Sequence, residues 1–114
     1  MAKLYYSIGE VSRLTGVKPH ILRFWEEEFS ILRPRKNRAG NRVYRSRDIK
    51  IVLLLKRLLH EEKYTIEAAK EKLLDDKEFV QEQLKSSSEE IESRYLISEI
   101  REDLKRLLKL VDEL

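Results

Sequence analysis

Near the N-terminus, apolar residues recur every three or four positions, which is the spacing of one face of an α-helix. These residues are Ile8, Val11 and Leu14. Ser7 precedes them and Glu10 stands three residues later, so each side chain can accept a hydrogen bond from a backbone N–H at the helix start. Gly16 follows where a helix would end and the chain must turn. The pattern predicts a first helix between Ser7 and Gly16.

A second helical pattern follows after a short turn. Pro19 fits the first position of a helix, where its missing N–H costs nothing. The apolar face of this helix consists of Ile21, Leu22, Trp25 and Phe29. His20 and Arg23 lie on the opposite face. Two helices joined by a short turn that contains a glycine form a helix-turn-helix pattern.

The next segment predicts a small two-stranded hairpin. Its strands are Ile31 to Arg35 and Arg42 to Arg45, and Gly40-Asn41 supplies the turn signal between them. Pro34 makes the first strand an edge strand. The segment concentrates positive charge with almost no acid, at Arg35, Lys36, Arg38, Arg42, Arg45 and Arg47. Such a loop is expected to meet an anion.

Two more helices follow the hairpin. The first runs over Ser46–Glu62, and its wide apolar face predicts the centre of the core: Ile49, Val52, Leu53, Leu55, Leu58 and Leu59. Thr65 caps a shorter helix that continues to about Leu74. Residues 76–88 are polar and Ser-rich, which predicts a partly helical connector.

The last segment, residues 89–114, carries a different repeat. Its large apolar residues are spaced 3, 4, 3, 4 and 3 positions apart: Ile97, Ile100, Leu104, Leu107, Val111 and Leu114. This spacing is the a/d seam of a coiled coil. A single helix would leave that seam in water, so the segment predicts a homodimer held by its C-terminal helices.

Composition narrows the class of protein. The chain has 114 residues, with three Gly, two Pro and no Cys, which argues against an all-β sandwich, disulfides and thiolate zinc sites. Its apolar runs are too short to cross a membrane, and the N-terminus lacks a secretory signal, so a cytoplasmic protein is expected. His20 and His60 have no third ligand at metal spacing. The adjacent carboxylates fit solvated helix faces, so no catalytic site, metal or cofactor is predicted.

The charge is divided unevenly along the chain. Residues 1–50 carry 12 Lys and Arg against 5 Asp and Glu, whereas residues 51–114 carry 12 against 16. A basic half next to an acidic half indicates that a polyanion is bound by the first half only.

Several short motifs follow one another along the first part of the chain: Tyr6-Ser7-Ile8-Gly9-Glu10-Val11, Thr15-Gly16-Val17, Leu22-Arg23-Phe24-Trp25-Glu26, Leu32-Arg33-Pro34, Asn41-Arg42-Val43-Tyr44-Arg45 and Asp48-Ile49. In this order and at these intervals they resemble the MerR family of bacterial transcription regulators. The resemblance covers residues 5–74. It implies a mainly α fold: a winged helix-turn-helix domain with a small β-hairpin wing over residues 1–75, the connector at 76–88, and a coiled-coil dimerisation helix over 89–114.

The resemblance and the basic segment together predict residues that contact DNA, through the second helix, the start of the first helix, and the wing. They are Ser7, Lys18, His20, Arg23, Phe24, Arg38, Asn41, Arg42, Tyr44 and Arg45. Two alternatives stay open: Ser7 caps its own helix with or without a phosphate contact, and Tyr44 belongs either to the interface or to the core. Trp25 is expected in the core and Phe24 at the DNA-facing edge.

The chain departs from the family pattern at two places. Lys18-Pro19 stands where Ser or Thr usually begins the second helix, and Arg23-Phe24-Trp25 replaces the common Arg-Tyr-Tyr. The second variant resembles the branch that includes cobalamin-linked light regulators. The sequence carries no effector domain after the dimerisation helix, which fits either a family member without a ligand sensor or a chain that ends before one.

The predicted function is that of a homodimeric, sequence-specific regulator of transcription that binds double-stranded DNA. The resemblance implies binding in a promoter spacer, DNA distortion, and RNA polymerase as a further partner. Two alternatives remain: an architectural or phage accessory protein that uses the same module, and a scaffold whose working part is the coiled coil.

Overall fold

The computed structural model describes residues 3–85 and 88–114. The elements of the N-terminal part are β1 (Tyr6–Ser7), α1 (Ile8–Thr15), α2 (Pro19–Glu28), β2 (Arg35–Lys36) and β3 (Arg42–Tyr44). Those that follow are α3 (Ser46–Lys56) with a π-helical turn over Arg57–Glu61, α4 (Ile66–Asp75), α5 (Lys77–Leu84) and α6 (Ser88–Asp112). The predicted class, a mainly helical winged helix-turn-helix with a long C-terminal helix, is confirmed.

Both ends of α1 form as the sequence predicts. The Ser7 hydroxyl accepts a hydrogen bond from the Glu10 N–H at 3.2 Å, and the Glu10 carboxylate accepts one from the Ser7 N–H at 2.8 Å. Gly16 ends the helix at a φ of 75°, in the left-handed region that favours glycine. The Lys56 ammonium donates to the Thr15 carbonyl at 2.8 Å. This bond ties the turn between α1 and α2 to the central helix α3.

The predicted hairpin forms, but its first strand is Arg35–Lys36 and not Ile31 to Arg35, so that prediction of the strand bounds is wrong. The hairpin is part of a three-stranded antiparallel sheet in the order β1-β3-β2. Tyr6 pairs with Tyr44 and Ser7 with Val43, so β1 adds a strand that the sequence did not predict. Successive side chains on a strand point to opposite faces. The Tyr6 and Tyr44 side chains are therefore buried together, and Ser7 and Val43 lie on the opposite face. This alternation brings the start of α1 next to the wing.

Helix α3 is the centre of the core, as predicted. Ile49, Val52 and Leu55 are completely buried, and the helix contacts α1, β3, α5 and α6. Asp48 is also buried and accepts a hydrogen bond from the Arg45 N–H at 2.9 Å. This carboxylate holds the helix start directly behind the last strand of the wing.

The predicted connector contains a complete helix. The Asp76 carboxylate accepts a hydrogen bond from the Phe79 N–H at 3.0 Å and begins α5, whose Val80 is buried. Residues 86 and 87 of the connector lie outside the described residues.

The C-terminal helix has two separate faces. Near its start, Ile91 and Ser98 are buried with Tyr95 half-buried between them, and this face packs against α1 and α3. The predicted coiled-coil segment is thus anchored on the domain for its first turns. At about 100° per residue, the seam from Ile97 to Leu114 lies on the opposite side of the helix. Every residue of that seam is more than half exposed.

Within the described residues no helix is both long and apolar enough to span a membrane.

Candidate nucleic-acid interface

An open groove of about 310 Å³ lies between the start of α1, the middle of α2 and the wing. Its lining residues are Ser7, Ile8, Arg23, Asn37, Gly40, Asn41, Arg42 and Val43. Four of the predicted DNA contacts, Ser7, Arg23, Asn41 and Arg42, therefore meet at one surface although three separate parts of the sequence supply them. The groove combines guanidinium groups, a hydroxyl and an amide, which are the donors that bind phosphate oxygens.

Ser7 has two roles open to it at this groove. Its oxygen accepts the Glu10 N–H, and its own hydroxyl proton has no acceptor within the described parts of the chain. Burial alone would raise the pKa of Glu10, but the Ser7 backbone N–H and the Lys3 ammonium at 3.2 Å hold that pKa below its ordinary value. The cap therefore stays intact at neutral pH while the hydroxyl can still donate to an anion.

The Ser7→Ala variant is expected to lose about 1 kcal/mol in its free energy of unfolding, because the first turn of α1 loses its cap. Chemical denaturation with urea measures this value. Ser12→Ala, at a mid-helix position of α1, is the control and should leave stability nearly unchanged. An unchanged midpoint for Ser7→Ala would show that the cap contributes nothing.

Asn37 shapes the tip of the wing. Its side-chain oxygen accepts the N–H groups of Ala39 and Asn41, both at 3.0 Å, and its carbonyl accepts the Gly40 N–H at 3.0 Å. Gly40 has a φ of 82°, which a residue with a Cβ rarely adopts. The loop is thus held in one shape that presents Arg38 at its exposed tip.

The positive charges of the wing fall into two groups. Arg42 pairs with Glu26 at 2.6 Å and Arg45 with Asp48 at 3.4 Å. The others are exposed and make no side-chain hydrogen bond or ion pair within residues 3–85 and 88–114: Arg35, Lys36, Arg38 and Arg47. Because unpaired cations at one surface attract a polyanion, the wing keeps most of its predicted electrostatic potential.

Helix α2 presents polar and aromatic residues to solvent. Lys18, His20, Arg23 and Phe24 are exposed, whereas Trp25 is buried as predicted. Lys18 begins the helix without a side-chain cap, and no acid stands in the first turn. The start of α2 therefore keeps its partial positive charge beside the lysine ammonium.

The prediction that Tyr44 contacts DNA is wrong. Its ring has no exposed surface because β3 turns it into the core opposite Tyr6. Burial and the nearby Glu26 carboxylate raise the pKa of the Tyr44 phenol, so the hydroxyl stays protonated and donates to Glu26 at 3.4 Å. Tyr44 therefore packs beneath the wing as part of the core.

Several residues of the groove were not predicted from the sequence. Asn37 shapes the tip of the wing, and its preference for turns was a signal that could have found it, as Gly40 was found. Ile8 and Val43 line the groove, but their apolar pattern indicated only core. Glu26 belongs to a run of three glutamates, a pattern typical of a solvated helix face.

Comparisons with known proteins match the part of the chain that contains this groove. The sequence model described as "MerR HTH family regulatory protein" matches residues 6–76. The HTH-type transcriptional repressor CarH of Myxococcus xanthus is 40% identical over 70 residues, which cover 61% of this chain and 23% of that protein. The HTH-type transcriptional regulator MlrA is 35% identical over 52 residues, or 46% of this chain and 21% of the relative, both in Salmonella typhimurium strain SL1344 and in Escherichia coli K12. The matched stretch spans less than a quarter of the length of each relative.

Proposed function

The chain belongs to the MerR family of helix-turn-helix regulatory proteins, and from this membership we propose that it is a sequence-specific transcription regulator that binds double-stranded DNA. The observation that carries the proposal is the convergence of Ser7, Arg23, Asn41 and Arg42 on one groove. Helix α2 enters the major groove with Arg23 and His20 facing base edges. The wing and the start of α1 bind the phosphates on either side.

The regulator works as a homodimer. The seam of α6 faces away from its own domain and exposes six large apolar side chains, which a second copy of the same helix would cover. A two-fold dimer places two α2 helices on a pseudo-palindromic site. Each domain is fixed to its α6 through the buried Ile91 and Ser98, so the spacing of the two half-sites is set by packed helices.

Binding distorts the promoter. A rigid dimer that grips both half-sites can bend and untwist the base pairs between them, and the free energy of its contacts offsets the cost of deformation. RNA polymerase is then a further partner at the distorted promoter. A regulator of this kind acts where the bacterial chromosome lies, in the cytoplasm.

Affinity for a cognate duplex is expected to fall steeply and linearly with salt on a logarithmic plot, by a factor of about 10³ or more between 50 and 200 mM. The reason is that each neutralised phosphate releases a condensed counterion. Selection from a random pool of duplexes supplies the cognate sequence and its half-site spacing. Fluorescence anisotropy at several salt concentrations then gives the slope, and binding that is insensitive to salt would contradict the proposal.

A further inference from the structure

Glu26 lies on α2 with its carboxylate facing the wing, and it accepts hydrogen bonds from two residues of strand β3. Its Oε2 accepts a hydrogen bond from Arg42 Nε at 2.6 Å and a longer one from the Tyr44 hydroxyl at 3.4 Å. The bond to Arg42 links α2 to the wing, although Glu26 and Arg42 are 16 positions apart in sequence.

The environment of this pair favours a fixed geometry. The Glu26 side chain is only 18% exposed and the Arg42 side chain 34%, so solvent screens the pair less than a fully exposed one. The Tyr44 ring beneath them is completely buried. A planar guanidinium bound through Nε keeps the orientation that its partner imposes.

The part of Arg42 that is not bound to Glu26 belongs to the groove. Arg42 lines that groove together with Ser7 and Arg23. Its two terminal nitrogens make no hydrogen bond or ion pair with any residue the structure describes. A guanidinium that is held at one edge and free at the other offers two donors in a fixed orientation.

We propose that Glu26 is a positioning residue for DNA binding: it holds the Arg42 guanidinium so that its free edge binds a backbone phosphate. This inference rests on the proposed function. Glu26 does not touch the DNA, and it acts through Arg42 alone.

Removal of the Glu26 carboxylate should change the affinity for DNA in opposite directions, depending on whether the carboxylate acts through its charge or by positioning Arg42. A negative charge next to a phosphate-binding groove repels DNA, so its removal should tighten binding if charge were its only effect. If Glu26 positions Arg42, its removal should weaken binding because the guanidinium loses its orientation. Glu27, the next residue on α2, is exposed and serves as the charge-matched control.

The experiment measures anisotropy titrations of Glu26→Ala, Glu26→Gln, Glu27→Ala and Arg42→Ala on a duplex selected with the wild-type chain. Glu26→Ala is expected to weaken binding by about tenfold, on the scale of one charge-assisted hydrogen bond. The slope of log affinity against log salt should fall by about one, as for Arg42→Ala. Glu27→Ala should bind as tightly as the wild type or slightly more tightly.

A double-mutant cycle separates positioning from a general structural effect. Glu26→Ala combined with Arg42→Ala should bind no more weakly than Arg42→Ala alone, because the two residues supply one contact. Glu26→Gln keeps the shape of the side chain and one acceptor oxygen, and it should fall between the wild type and Glu26→Ala. If circular dichroism shows that Glu26→Ala does not fold, the affinity of Glu26→Gln for the duplex tests the inference in its place.

Two results would overturn the inference while leaving the proposed function in place: equal or tighter binding by both Glu26 variants, or additive losses in the cycle. A wild-type chain that selects no duplex and shifts none would overturn the proposed function itself, and the inference with it.

Discussion

The variant carrying Leu104→Asp and Leu107→Asp is expected to be monomeric and to bind a duplex with two half-sites at least about 100-fold more weakly than the wild type. Both side chains lie on the exposed seam of α6, more than half in solvent in the single chain. Two carboxylates per helix would have to be buried without partners in a dimer, which strongly disfavours association. Without the dimer, the second half-site is no longer bound at a high effective concentration.

Light scattering measures the mass, and anisotropy measures affinity for duplexes with one and with two half-sites. Lys105→Gln with Lys109→Gln is the matched control, because it changes the charge of α6 by the same amount away from the seam. The control should remain dimeric, and the monomer should keep its affinity for a single half-site. A double Asp variant that is still dimeric would show that this seam is not the interface.

Local sequence patterns predicted the helices because the interactions that begin and end a helix are local. Ser7 and Glu10 bond to each other across three positions. Gly16 ends the helix through its own left-handed backbone conformation. Periodicity likewise identified α3 as the core helix, since one face of an α-helix repeats every 3.6 residues. The same reasoning found the exposed seam of α6, which lies on the side of the helix opposite the face packed on α1 and α3.

The features that were missed depend on pairing between distant residues. Strand β1 has two residues, too few for an alternation of polar and apolar positions, and it forms because β3 lies beside it. The sequence left Tyr44 either in the core or at the interface. The pairing of Tyr44 with Tyr6 determines which face of the sheet its ring occupies. The helices therefore followed largely from local sequence, whereas the pairing of the strands depended on the tertiary structure.

The basic wing illustrates a related limit at the candidate site. The number of positive charges on the wing can be read from the sequence, but the sequence does not show which of them are neutralised by ion pairs. In the folded chain Arg42 and Arg45 have carboxylate partners, and Arg38 at the loop tip has none among the described residues. One partner, Glu26, lies in a glutamate run that resembles an ordinary solvated face. Its carboxylate contacts Arg42 and Tyr44 of β3, and no local pattern encodes a contact between α2 and β3.

Replacing Arg23 by Ala is expected to weaken binding to the cognate duplex by about 10- to 100-fold, the range of one bidentate contact to a base. Arg23 is the guanidinium that α2 contributes to the groove, and it has no ion-pair partner among the residues described. Its charge is therefore fully available to DNA. The preference for one base at the contacted position should disappear together with the affinity.

Arg23→Lys tests whether geometry or charge carries this contact. A lysine keeps the charge but lacks the planar fork that binds guanine at two atoms, so base preference should be lost while part of the affinity remains. Lys77→Ala, an exposed residue on α5, is the control for a lost positive charge and should have little effect. Competition titrations against duplexes altered at single positions measure both quantities. If Arg23→Ala lowers affinity equally for every sequence, Arg23 binds a phosphate and base recognition must come from another residue of α2.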